Sequence, residues 1–202
     1  MRLNGRFSAR RLRTAVLASA LALALAAGIT FAADDGDTLA DLMTLLAQRR
    51  HGVADFTQTQ YLAVLRQPQR SEGVLSYDAP DHLEQRTLKP HPQTAVLDHG
   101  VLTLTRGSRR RIVRLDDYPQ LAPLIDSVRA TLAGDRPALE QRFEIRLAGD
   151  LDHWQLELTP RASGPALGVQ RIQLRGERDR ILQVEVQQAG GDRSLMSIKP
   201  RE

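Results

Sequence analysis

The chain is 202 residues long, 26% charged and 4% aromatic, with 28 lysines and arginines against 24 acids and a formal net charge of +4. It contains no cysteine, which removes disulfide frameworks, thiol nucleophiles, cysteine metal sites and a lipid-modified cysteine anchor. Residues 1–32 hold five of the arginines and no acid, so the rest carries 23 basic residues against 24 acids, a net charge of −1, and the electrostatic case for a nucleic-acid partner falls away.

In chain order, Arg2, Arg6, Arg10, Arg11 and Arg13 precede an apolar run from Thr14 to Ala27. Thr30-Phe31-Ala32 then offers small residues where a signal peptidase reads, and Asp34, Asp35 and Asp37 follow. That order predicts a secretory signal peptide over 1–32, cleaved near Ala32/Ala33, and a soluble periplasmic domain over 33–202. A membrane anchor is the rival reading, but the apolar run of about 14 residues is short of the roughly 20 needed to cross a bilayer. Arg10-Arg11 also resembles a twin-arginine signal, although the residues after it match poorly.

Thr38 to Gln48 reads as the first helix, with Leu39, Leu42, Met43 and Leu46 at helical spacing and a capping-box pattern in Thr38 and Asp41. From Phe56 the period changes to two. Phe56–Leu65, Gly73–Tyr77, Leu83–Leu88, Thr94–Leu97, Val101–Thr105 and Arg110–Leu115 read as strands separated by turn residues such as Asp78-Ala79-Pro80 and Gly107-Ser108. A helix over Tyr118–Leu132 interrupts them, stopped by Gly134, and Asp135 with Pro137 opens a short helical turn. Phe143 to Leu147, Trp154 to Thr159, Ile172 with Leu174, Leu182 to Val186 and Met196 with Ile198 then alternate apolar and polar residues. The fold class predicted is α+β and mainly β: a curved antiparallel sheet or half-barrel of about eleven strands with a few lid helices. Its apolar concave face encloses either a filled core or a cavity, since both demand the same alternation.

Catalytic and metal chemistry finds little support. His82, His91 and His99 share one stretch with Asp81, Glu84 and Asp98, yet lack the i, i+4 spacing of a helical metal site. No serine sits in a nucleophile-elbow setting and no glycine-rich phosphate loop occurs. The Asp116-Asp117 and Asp150-x-Asp152 pairs fall at strand ends, and Arg109-Arg110-Arg111 is a local basic run that could meet anionic headgroups or an acidic partner. No enzyme activity, cofactor or metal is expected.

Phe56-Thr57-Gln58 after the first helix, Gly73-Val74-Leu75-Ser76-Tyr77 with Pro80 three positions on, and Leu158-Thr159-Pro160-Arg161-Ala162 closing a later strand resemble, in that order, the periplasmic lipoprotein carriers of the LolA type. The order of helix, six strands, lid helices and five strands fits as well, over about Leu39 to Ile198. The resemblance implies a monomeric carrier that shelters the acyl chains of a lipoprotein or other lipid-like cargo. It would take that cargo from an inner-membrane donor complex and move it toward an outer-membrane acceptor. On this reading Leu75, Tyr77, Leu83, Phe143, Ile145, Trp154, Leu156, Leu182 and Val184 form the ligand-binding cavity wall, and Leu121, Leu124, Ile125 and Val128 the lid. The resemblance implies a divergent member. The arginine that ties barrel to lid in the family falls on Ala79, its aromatic partner falls on Leu83, and the chain stops at Glu202 without the extra C-terminal loop and strand of the best-known carriers. A lipid-sensing or scaffold module acting through a protein partner is the alternative.

Overall fold

The structure, a computed structural model, describes residues 35–117, 122–161 and 168–201. The expected signal peptide, and the start of the second expected helix including Leu121, lie outside the described residues. The chain runs α1 (Asp35–Ala47), β1 (His51–Tyr61), β2 (Gln69–Asp78), β3 (His82–Lys89), β4 (Gln93–Asp98), β5 (Val101–Arg106) and β6 (Arg109–Arg114). A 3-10 turn at Leu115–Asp117 then leads to α2 (Ala122–Ala133), α3 (Arg136–Arg142), β7 (Phe143–Gly149), β8 (Trp154–Pro160), β9 (Val169–Glu177), β10 (Arg180–Gln188) and β11 (Arg193–Pro200). The expected α+β class holds: eleven strands form one curved antiparallel sheet that does not close, in the order β6-β5-β4-β3-β2-β1-β11-β10-β9-β8-β7.

This order joins two meanders through a single long-range seam, β1 with β11, in the register Ala54↔Pro200 to Tyr61↔Arg193. β1 begins five residues earlier than its alternation suggests and ends at Tyr61 instead of Leu65. The reason is pairing on both sides: Gly52 and Ala54 ladder with Tyr77 and Leu75 of β2, a constraint that outweighs weak local patterning. Leu62 to Leu65 forms a turn instead, the Leu65 N–H donating to Leu62 O at 2.9 Å. α1 likewise starts at Asp35, so Thr38 lies inside the helix rather than capping it.

The segment between β6 and β7 connects the two free edges of the sheet, so it must cross the open concave side. α2 ends in a Schellman-type cap, with Gly134 N–H donating to Thr131 O (3.1 Å) and Asp135 N–H to Ala130 O (2.8 Å). Gly134 is left-handed, and a Cβ there would collide with Met43 O of α1, so glycine serves both the turn and the close helix approach. Asp135 caps α3 by accepting from the Ala138 N–H at 3.1 Å.

The helices fill one half of the concave face. Leu39, Leu42, Met43 and Leu46 of α1 and Leu139 of α3 pack with Phe143, Trp154, Leu156, Leu158, Ile172 and Leu174 of β7–β9. Gly176 faces Trp154 across the β8–β9 ladder. A Cβ there would strike the indole, whose Nε1 donates to Arg178 O at 2.9 Å. On the convex face, Glu157 accepts from Gln173 Nε2 (2.8 Å) and Arg171 Nη1 (3.4 Å), and Arg193 Nε donates to Glu185 Oε1 (2.8 Å). These are cross-strand polar pairs that keep a wet face ordered.

Leu156 has 0% exposure at the centre of the packed half. Leu156→Ala is expected to destabilise the protein by about 2–5 kcal/mol, read as a shift of the urea midpoint at unchanged slope. Glu185 gives a second test. Burial pushes its carboxyl up, but the hydrogen bonds from Arg193 and Gln187 outweigh this and hold it below its ordinary 4.5. A depressed folded-state pKa contributes stability above the unfolded value and loses it as pH falls through the folded one. Wild type should therefore outlast Glu185→Gln in thermal melts at neutral pH, with the advantage disappearing as pH falls below 4.5.

Candidate functional site

The packed cluster centres on β7–β9, and a space remains between α2 and the concave face of β1–β5, β10 and β11. A cavity of about 420 Å³ lies there, within the roughly 300–1,000 Å³ typical of ligand pockets. One wall is a cross-strand row, Tyr77↔Leu83↔Leu97↔Leu102 over β2–β5, with Leu75 and Ala95 beside it. The facing wall comes from Ile181, Val184 and Val186 of β10 and Met196 and Ile198 of β11. Ile125, Val128 and Leu132 line it from α2, at the i, i+3, i+7 positions of one helical face.

Polar groups are few and stand at particular places. Arg49, just after α1, and Asp179, in the β9–β10 turn, both line the cavity, with Nη2 2.6 Å from Oδ2 and Nε donating to Asp179 O at 3.2 Å. Gln58 Nε2 donates to Ser194 Oγ at 2.8 Å across the β1–β11 seam. The Tyr77 hydroxyl is buried without a hydrogen-bond partner among the described residues. Loss of solvent pushes its pKa up, with the Arg50 charge opposing and the Asp81 charge adding to the rise.

α2 is tied down by charge. Arg129 Nη1 lies 3.0 Å from Asp81 Oδ1 in the β2–β3 turn, and Asp126 lies 3.6 Å from Arg129 and 3.5 Å from Arg142 of α3. All four side chains are partly solvated, so each pair contributes about 1 kcal/mol or less.

Of the residues that alternation singles out, Leu75, Tyr77, Leu83 and Val184 line the cavity, as do Ile125 and Val128 of α2. Phe143, Trp154 and Leu156 belong to the packed cluster, and Ile145 packs against it. Leu182 falls at a register shift between Ile181 and Gln183, and it is Ile181 that lines the cavity. The Leu124 side chain and all of Leu121 lie outside the described residues. Leu97, Leu102, Met196 and Ile198 line the cavity without having been singled out. Each sits in an alternating strand, and alternation marks a face without saying whether a helix fills it. His82 and His99 flank Asp98 at 3.7 and 2.8 Å, and no histidine is among the lining residues. Among the described residues, no three His, Asp or Glu side chains group as a metal site would.

Residues 31–197 match the family model described as outer membrane lipoprotein carrier protein LolA-like. The chain belongs to the LolA-like family. The fold is similar to that of a LolA superfamily protein from Nitrosomonas europaea, at 13% identity and TM-score 0.44 over 83% of this chain and 94% of that one. An outer membrane lipoprotein-sorting protein domain from Vibrio parahaemolyticus gives 11% identity and TM-score 0.42, again over 83% and 94%. A chain of the Pseudomonas aeruginosa MucA/MucB complex gives 16% and 0.41, over 79% of this chain and 55% of that one. Curated proteins return no match. In this LolA-like chain Ala79 stands where the resemblance implies a latch arginine, and its backbone N–H donates to Arg50 O at 2.7 Å. An ion pair between this hairpin and α2 comes two residues later, with the acid, Asp81, on the hairpin and the arginine, Arg129, on the helix.

Arg129→Ala is expected to raise amide hydrogen exchange along α2 severalfold while lowering global stability by no more than about 1 kcal/mol. Unchanged exchange in α2 would mean that the apolar contacts alone hold the lid.

Proposed function

We propose that this chain is a periplasmic carrier whose cavity shelters the acyl chain of a lipoprotein or other lipid-like cargo on its way toward the outer membrane. Residues 1–32 serve as the signal peptide, cleaved near Ala32/Ala33, and residues 33–202 act as one soluble, monomeric domain. It takes cargo from an inner-membrane donor and gives it to an outer-membrane acceptor. No bond is made or broken. The observation that carries the reading is the cavity, walled by Leu75, Leu83, Leu97, Val184 and Met196 and roofed by α2, in a chain of the LolA-like family.

The energetics favour such a task. Each methylene moved from water into an apolar site contributes about 0.8 kcal/mol, so a dozen contribute on the order of 10 kcal/mol. Retention therefore comes from the greasy wall, and release depends on displacing a lid that partly solvated ion pairs hold only weakly. A rigid, strongly bonded lid would trap its passenger.

The test begins with mass spectrometry of organic extracts from protein purified without detergent out of native periplasm, where a stoichiometric acylated compound is expected. Val128→Glu and Met196→Glu should each weaken binding of a fluorescent fatty-acyl probe by at least about tenfold, because a carboxylate in an apolar site must be desolvated, with circular dichroism unchanged. An empty extract together with no probe binding would remove the carrier reading and leave a scaffold that acts through a protein partner.

A further inference from the structure

The antiparallel register brings three connections of the sheet's first half to one end: β1–β2 beyond Gln60↔Gln69, β3–β4 beyond Thr87↔Gln93 and β5–β6 at Arg106↔Arg109. That end is basic. Arg66 and Arg70 are exposed on the first connection and Arg106, Arg109 and Arg110 on the third, and none of the five pairs with an acid among the described residues. Residues 56–71 include no acid, Glu72 is neutralised by Lys89 at 2.7 Å, and one carboxylate against the first connection, Asp192 of the β10–β11 turn, accepts from the Ala63 N–H at 2.8 Å. The opposite end of the same strands is acidic, with Asp78, Asp81, Asp98, Asp116 and Asp117 in or beside its turns.

The basic end is also apolar. Of six exposed large hydrophobic side chains among the described residues, four, Tyr61, Val64, Leu65 and Leu88, stand here, and Val64 at the β1–β2 tip is 89% exposed. Edge protection accounts for arginines on β6, which is a free edge. It does not account for Arg66, Arg70 or the bare Val64, because β1 and β2 lie inside the sheet with both neighbours paired. The first hairpin also runs past β3, whose ladder with β2 starts only at Glu72. A projecting tip of aliphatic and aromatic side chains ringed by unpaired cations combines the two attractions of a protein for a charged bilayer: burial of apolar area at the headgroup boundary and attraction to anionic lipid.

We propose that this end of the sheet docks on an anionic lipid surface, with Val64 and Leu65 entering the interface and Arg66, Arg70, Arg106, Arg109 and Arg110 facing the headgroups. β1 then leads directly from the cavity to the bilayer, since Gln58 lines the cavity and Tyr61 follows it by three strand residues, about 10 Å. The docking does not depend on what the cavity holds.

Flotation with vesicles tests it, using the purified protein without added cargo. Wild type is expected to float with vesicles of phosphatidylethanolamine and phosphatidylglycerol, to remain below with phosphatidylcholine alone, and to be released as salt rises and screens the arginines. Removing two cations in Arg66→Gln/Arg70→Gln should lower partitioning about thirtyfold, and Val64→Asp about tenfold. Both variants change exposed side chains outside the cavity, so their thermal melts and acyl-probe binding should match wild type. Equal binding to both kinds of vesicle, binding to neither, or variants that float like wild type would each overturn the proposal. A failure of probe binding with flotation intact would count against the carrier reading alone.

Discussion

Everything in this protein depends on the pairing of β1 with β11. It is the one place where strands from distant parts of the sequence meet, and β1 is hydrogen-bonded along both of its sides. Without that seam the molecule would be two separate meanders of six and five strands, each with an apolar face too flat to shield itself. With it, the strands make a single curved surface whose two free edges, β6 and β7, are joined by the crossover carrying α2 and α3. The crossover that joins the two edges thus also supplies cover for the concave face, since it carries α2 and α3.

The cover is unequal, and the inequality makes the site. α1 and α3 offer Leu39, Leu42, Leu46 and Leu139 to β7–β9 and close that side densely. Over the first half, α2 presents Ile125, Val128 and Leu132 to a span of several strands, and the remaining volume is the cavity. Dense packing is concentrated on β7–β9, and Leu174, Ile181, Val184 and Val186 serve both the packed cluster and the cavity wall.

Much of the architecture was legible because strand alternation and helical periodicity are local. The strands from Trp154 to Ile198 declare their inner and outer faces except at the Ile181/Gln183 register shift in β10, and the glycine stop at Gly134 declares the end of α2. β1 was harder to read, since His51-Gly52-Val53-Ala54 becomes a strand through neighbours at Asp78 and Pro200 that no window around it contains. The site was half legible for a similar reason. Leu156 and Leu83 show the same pattern in sequence, yet a helix packs on the first and a space faces the second. The ion pair of Asp81 with Arg129 was likewise hidden in a sequence separation of 48 residues.

The glycine opposite Trp154 has an optical consequence. Gly176 gives the indole room to lie across β9, where its N–H is taken by Arg178 O. This is the only tryptophan in the chain. The single strong ultraviolet emitter is therefore embedded in the densely packed half, and the cavity has none. Intrinsic fluorescence therefore follows whether the sheet and its helices hold together, and because Leu174 of the same cluster also lines the cavity, the indole is a fixed donor close enough to pass its energy to an absorbing acyl probe held there.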